Sequence, residues 1–271
     1  MKTRAMTGFI FVGVILASLL FGCYVFTLFV LILSILAVDE FYHLIGNNTI
    51  KPQKLGGTLL SISIYLPLYQ YLFKNEPFQN LLFCVPIIIA IFIFELYRKQ
   101  LSPFQNIAYT LLGVLYAAVP FYFFYALAFT DGTFNMHYPL GFLLLLWASD
   151  TGAYLFGSRF AKHQLFKRHS PKKSWEGFFG GMFTSTLLAL GISCYFKELS
   201  FIHWLITSLI VVIIGTFGDL SESMLKRSLS VKDSGSLLPG HGGILDRFDS
   251  LLLAAPLVFV YLHFVRVFNL G

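Results

Sequence analysis

Long charge-free stretches separated by short polar segments dominate the chain. They cover residues 5–38, 55–73, 77–94, 101–130, 132–149, 177–196, 199–218 and 250–265. A membrane-spanning helix needs about 20 mostly apolar residues, and most of these runs come close to that length or exceed it. Strands of a membrane barrel would instead alternate polar and apolar positions over about ten residues. Residues 142–147 and 210–214 are apolar without interruption. The pattern predicts an all-α, polytopic helical membrane protein.

The first run holds 34 residues, more than one span requires. A turn at Gly22-Cys23-Tyr24 divides it into two short helices and gives nine spans; an unbroken tilted helix gives eight. Lys2 and Arg4 ahead of an apolar run resemble a signal peptide, but no Ala-x-Ala cleavage pattern follows. The segment is read as a retained signal anchor, with the N-terminus in the cytoplasm.

Composition agrees with the pattern. Charged residues make up 12% of the 271 and hydrophobic residues 57%, against roughly 25% charged in an ordinary soluble domain. A soluble fold of this length has no place for so much apolar surface, and disorder needs the opposite bias. With nine spans, 16 of the 19 basic residues fall on one side and only Lys74, Lys197 and Arg266 on the other. That asymmetry marks the cytoplasmic face. The net charge of +6 is therefore a matter of topology, and nucleic-acid binding is not expected. The three cysteines show no paired spacing, and the seven histidines show no zinc pattern. His43, His137, His203 and His263 read as interfacial or packed polar groups.

Residues 1–140 read as an N-terminal membrane-spanning scaffold. Residues 141–271 read as a catalytic region with cytoplasmic interfacial loops, the two forming one structural unit. The unusual polar residues lie almost entirely after Trp147. Asp150 stands at membrane depth, where a carboxylate costs about 2.5–3.5 kcal/mol and usually faces a cavity or a partner. Residues 158–173 hold six Lys or Arg and two His, partly a positive loop against anionic lipid. Ser170-Pro171-Lys172-Lys173-Ser174-Trp175-Glu176-Gly177 differs from such a loop. A helix starting near Ser174 offers free N–H groups to a phosphate, with Lys172 and Lys173 alongside.

Asp219, Glu222, Ser223 and Lys226 follow an apolar run at i, i+3, i+4 and i+7, so a continuing helix puts them on one face. Carboxylates in this setting suit Mg²⁺, which binds one or two carboxylates together with water and substrate phosphate. Alternatively, Glu222 and Lys226 form a plain surface pair. Further on, Pro239-Gly240-His241-Gly242-Gly243 allows close backbone approach to an anion. No Gly-Lys-Ser/Thr follows those glycines, so this is not a Walker loop. Asp246 and Asp249 present a second carboxylate pair. No Gly-x-Ser-x-Gly elbow supports acyl transfer.

The stretch Ser223-x-x-Lys226-Arg227, four residues, then Lys232-Asp233-x-Gly235-x-x-Leu238-Pro239-x-His241-Gly242-Gly243-x-x-Asp246-Arg247-x-Asp249 resembles the C-terminal motif of the phosphatidate cytidylyltransferases, or CDP-diacylglycerol synthases. Residues 149–154, 170–177 and 218–220 resemble family segments too. Ser174 stands where Thr is expected and Ala161 where Gly is common. The likeness covers about residues 147–255. It implies transfer of CMP from CTP to phosphatidate, giving CDP-diacylglycerol and pyrophosphate, with Mg²⁺ as cofactor.

On that resemblance, Asp219 and Asp246 are expected to hold the metal, with Asp249 and Glu222 as further ligands and Asp150 nearby. Lys226, Arg227 and His241 join Asp219 and Asp246 as catalytic residues. Ser170, Lys172, Lys173, Asp150, Glu176, Ser223, Lys232, Asp233, Gly242, Gly243 and Arg247 are expected to bind substrate. The implied partners are CTP, phosphatidic acid and the lipid bilayer, with a homodimer as a compatible assembly. The expected location is the inner (cytoplasmic) cell membrane, with the site on its cytoplasmic face. Two other readings compete. One is a CTP-using lipid kinase of the dolichol kinase type. The other is an ion-coupled transporter, motivated by Asp150 and Glu95 near span ends.

Overall fold

The computed structural model describes residues 2–74, 78–168, 170–237 and 242–268. Among these, nine helices follow one another: α1 (Lys2–Leu20), α2 (Cys23–Ile45), α3 (Lys54–Lys74), α4 (Cys84–Arg98), α5 (Pro103–Leu127), α6 (His137–Phe160), α7 (Trp175–Tyr195), α8 (Phe201–Ser228) and α9 (Leu245–Val267). Seven stretches, containing α2 and α4 to α9, are long and apolar enough to cross a membrane. The chain is therefore a polytopic helical membrane protein.

Helix ends follow local chemistry. Gly22, at φ +91°, separates α1 from α2, as the turn reading of Gly22-Cys23-Tyr24 expects. Glycine takes that conformation without the Cβ penalty other residues incur. Asn47 Oδ1 accepts from the backbone N–H groups of Thr49 and Ile50, each at 2.8 Å, and turns the chain after α2. Pro103 opens α5, where its missing N–H leaves nothing unsatisfied. Just before Pro120, residues Val114–Ala118 wind as a single π turn. Proline donates no hydrogen bond to the helix ladder, and a wider turn absorbs the mismatch.

Residues 158–173 are expected from their composition to form an interfacial loop. The structure instead forms a short antiparallel hairpin, β1 (Gln164–Phe166) with β2 (Ser170–Ser174). Strands this short carry too few residues for an alternating pattern to be legible.

Backbone contacts divide the chain into two compact units. One comprises the residues up to Gly132 together with Asp233–Arg247. Its core gathers Phe26, Phe41, Tyr42, Phe121, Tyr122 and Phe124, all nearly inaccessible. Phe26 meets Phe124 edge-on at 5.8 Å, and Tyr65 meets Tyr122 at 5.5 Å; these are favourable aromatic geometries. Tyr42 donates to the carbonyl of Thr110 at 2.7 Å, tying α2 to α5. The buried Glu95 accepts from Gln53, Asn106 and Arg98 at 2.6, 2.6 and 2.9 Å. Its charge is thus fully engaged in structure, which removes one of the two acids behind the transporter reading.

The other unit comprises Thr133–Lys232 and the chain from Phe248 onward. Here α6 and α7 pack backbone to backbone. A Cβ on Gly152 would fall 2.0 Å from Thr184 Oγ1, and one on Gly181 would fall 2.7 Å from the Ser149 carbonyl. Thr184 donates to the Ala148 carbonyl at 2.8 Å and Ser185 to that of Leu145 at 3.1 Å. Small residues and interhelical hydroxyl bonds are how helices associate in a bilayer, where hydrophobicity does not drive them together.

Candidate active site

Helix α8 continues unbroken through the apolar run into its polar end. It therefore carries Asp219, Glu222, Ser223 and Lys226 on one face, as the spacing predicts. Their environments then diverge. Asp219 Oδ2 pairs with Lys173 Nζ at 2.5 Å, and Asp219 Oδ1 accepts from the Ser223 hydroxyl at 3.3 Å. Glu222 is buried and pairs with Lys226, a combination whose charges are useful to each other only if both stay in place.

Glycine sets the spacing to α9. A Cβ on Gly218 would fall 2.5 Å from the Asp249 carbonyl and 3.1 Å from Ser250 Cα. Only a residue without a side chain lets the two backbones approach so closely. Through this contact Asp219 and Asp249, from different helices, come into one electrostatic neighbourhood with Asp150 and Lys173.

A cavity of about 270 Å³ opens among these groups. Asp150, Lys172, Lys173, Ser174, Thr216 and Asp219 contribute its polar lining; Leu146, Leu165, Phe178 and Val211 contribute apolar wall. Ser174 is the N-cap of α7, accepting from the Gly177 N–H at 3.1 Å. The helix thus begins where the sequence places it, and its positive end lies beside two lysines.

The hairpin that carries those lysines is held by Glu176. Its carboxylate accepts from the N–H of Lys162 at 3.2 Å, the N–H of His163 at 3.3 Å and His163 Nδ1 at 2.7 Å. Glu176 was expected to bind substrate; here its oxygens hold the 162–163 turn. Ser170 starts β2 opposite Phe166, away from the cavity lining. Arg227 Nη1 donates to the Val231 carbonyl at 3.0 Å and shapes the turn after α8. Lys232, Asp233 and Arg247 are exposed. His241 lies outside the described residues.

The glycine motif belongs to the other unit, and a residue that sequence reasoning passed over organises it. Glu40, buried in α2, accepts from the Ser234 hydroxyl at 2.5 Å and from the N–H groups of Ile244 and Leu245 at 2.7 and 3.0 Å. Gly243 lies directly against it, since a Cβ there would sit 2.0 Å from Glu40 Oε1. Asp246 Oδ2 accepts from Ser234 N and Gly243 N, both at 2.9 Å. Gly242 takes φ +84° to make the turn. The available signal for Glu40 was an acid two residues past the end of the 34-residue apolar run, a place where a carboxylate needs a partner.

No group of three or more His, Cys, Asp or Glu side chains is arranged as a metal cage among the described residues. The donors at the cavity are nevertheless hard carboxylate oxygens. That chemistry fits a cation such as Mg²⁺, which takes few protein ligands and completes its shell with water and substrate phosphate.

Known proteins point the same way. A Staphylococcus aureus protein named phosphatidate cytidylyltransferase is 37% identical over 267 residues, covering 97% of this chain and 99% of its own. Proteins of the same name from Staphylococcus haemolyticus and Staphylococcus epidermidis are 34% and 35% identical, again over 97% of this chain and 99% of theirs. The profile of the Cytidylyltransferase family matches residues 2–265. The lysine-flanked helix start, the acid-bearing face of α8 and the glycine loop all fall within that match, and the chain belongs to the cytidylyltransferase family.

Proposed function

We propose that this chain transfers CMP from CTP to phosphatidate, forming CDP-diacylglycerol and pyrophosphate. A phosphate oxygen of the lipid attacks the α-phosphorus of CTP. The bond from that phosphorus to the bridging oxygen breaks, and pyrophosphate leaves with the electron pair. Attacker and leaving group both come from the substrates, so the protein supplies no nucleophile. Its task is positioning and charge neutralisation.

The observation that carries this reading is the convergence of Lys172, Lys173 and Asp219 on one cavity at the start of α7. A volume of about 270 Å³ suits phosphate groups more than a whole nucleotide with its lipid. Lys172, Lys173 and the N-terminal N–H groups of α7 hold phosphate oxygens there. Leu146, Phe178 and Val211 give the same cavity an apolar side for the lipid. We assign Mg²⁺ to Asp219 and Asp249, with Asp150 close by; Asp246, expected to share the ion with Asp219, instead accepts from the N–H groups of Ser234 and Gly243. Bound there, the ion would offset negative charge on the phosphates. Lys226 pairs with the buried Glu222 on the same helix, and Asp246 shapes the glycine loop. The excess of basic residues on one side supports a site at the cytoplasmic face of the cell membrane, where a water-soluble nucleotide and a lipid phosphate can meet.

The test is an assay of the purified chain with α-labelled CTP, phosphatidate and Mg²⁺. Label should enter the lipid phase with one pyrophosphate released per transfer. Chelation should stop the reaction and added Mg²⁺ restore it. Accumulation of CDP would instead identify a lipid kinase and overturn the assignment.

A further inference from the structure

The unit containing α2, α3 and α4 carries a larger concavity, about 980 Å³, that the transfer chemistry does not use. Its walls are apolar: Leu55 and Leu59 from the first turns of α3, and Ile87, Ala90, Ile91 and Phe94 from α4. On α4 the lining runs from Pro86 to Arg98, thirteen residues spanning about 18 Å of helix. The hydrocarbon core of a bilayer is about 30 Å thick, so this length is comparable with the depth of one leaflet. A water-soluble ligand has no need of that depth.

The rim differs in character. His43, Lys51, Lys54 and Arg98 sit at one end of the groove. Lys54 faces Asp39 at 3.4 Å and Arg98 faces Glu95 at 2.9 Å. Lys51 is exposed, with no carboxylate within ion-pair distance among the described residues. Its backbone is tightly held, because its N–H donates to Asn106 Oδ1 at 2.6 Å and its carbonyl accepts from Arg98 Nη1 at 2.9 Å. The uncompensated ammonium is therefore presented from a fixed segment, which lowers the ordering cost of binding.

We propose that this groove is a binding site for an anionic diacyl phospholipid, with an acyl chain between α3 and α4 and the phosphate at Lys51. Charge complementarity selects this occupant. A second copy of the chain would bring an equally basic rim against this one.

The site is tested by native mass spectrometry of the full chain released from detergent with phosphatidylglycerol or phosphatidylcholine, neither being a substrate or product of the proposed transfer. The wild-type chain should retain phosphatidylglycerol preferentially. Lys51→Gln keeps both backbone hydrogen bonds and should reduce that preference about fivefold, the value of one basic residue beside an anionic lipid. Ala90→Trp, which fills the groove, should abolish retention of both lipids. Equal retention of the two lipids by the wild-type chain, or an unchanged preference in Lys51→Gln, overturns the proposal. So does a change of oligomeric state in Ala90→Trp without loss of lipid, which would make the groove a protein interface.

Discussion

Glu40 Oε2 accepts the backbone N–H of Ile244 at 2.7 Å, across 204 residues of sequence. With Ser234 and Leu245 sharing the same carboxylate, a single α2 side chain fixes both edges of the glycine motif. Buried donors left without an acceptor cost about 1–3 kcal/mol each. Glu40→Ala should therefore loosen residues 234–237 and 242–245 and lower CMP transfer at least about tenfold. Hydrogen exchange across 242–247 is the direct measurement. Unchanged protection there would remove Glu40 from its positioning role.

Gly243 is the complementary element of that contact. Gly243→Ala drives a methyl group into Glu40, and overpacking of this kind costs about 1–3 kcal/mol. Gly191, in α7, has open space where its Cβ would be. Gly191→Ala should leave thermal stability in detergent unchanged or slightly raised, because alanine favours helix, while Gly243→Ala lowers stability and activity together. Similar melting curves for the two variants would contradict the packing described here.

Asp219→Asn removes the charge that Lys173 and the proposed Mg²⁺ share. Transfer should fall by about 10²–10³, the usual scale for losing one electrostatic contributor at a reacting centre, with little change in melting temperature. Lys74→Gln, at the end of α3, is the contrasting case. Its ammonium lies over the Tyr69 ring at 5.8 Å, and kinetics should be near wild type. A large kinetic loss in Lys74→Gln would challenge the predicted topology, and near-normal turnover in Asp219→Asn would refute the assigned role.

Between α7 and α8, Glu198 titrates below the ordinary carboxylate range. Burial pushes its affinity for protons up, but hydrogen bonds from His137, its own backbone N–H and Asn135, together with the charge of His137, outweigh it. A depressed folded-state value means the group stabilises the fold above its unfolded value of about 4.5, and that stabilisation disappears as pH falls below it. Melting temperature should therefore decline as pH drops from 5 toward 3. In His137→Ala the decline should be shallower. Parallel pH profiles for the two proteins would show that this pair does not contribute.

The polar face of α8 was legible because helical periodicity is local: Asp219, Glu222, Ser223 and Lys226 are positioned by 3.6 residues per turn and nothing else. How they divide their work was not legible. Glu222 takes Lys226 from its own helix, whereas Asp219 takes Lys173 from a hairpin too short to leave a pattern. Glu176 illustrates the same limit. Its sequence neighbours suggested substrate, and its oxygens went to backbone N–H groups that a hairpin left open. Glu40 was overlooked because its partners lie 194 to 205 residues away.

By itself the sequence determined the solvent, the helices and the family chemistry, because length, hydropathy and short-range spacing act through the local backbone and through transfer from water to lipid. The break at Gly22 and the start of α7 after Ser174 belong to that local class. Tertiary structure alone decided which acids gather about the cavity and which are consumed in holding the fold. That choice depends on distances between segments far apart in the chain, such as the Gly218 contact with α9 and the Glu40 contact with the glycine loop, and no local pattern encodes it.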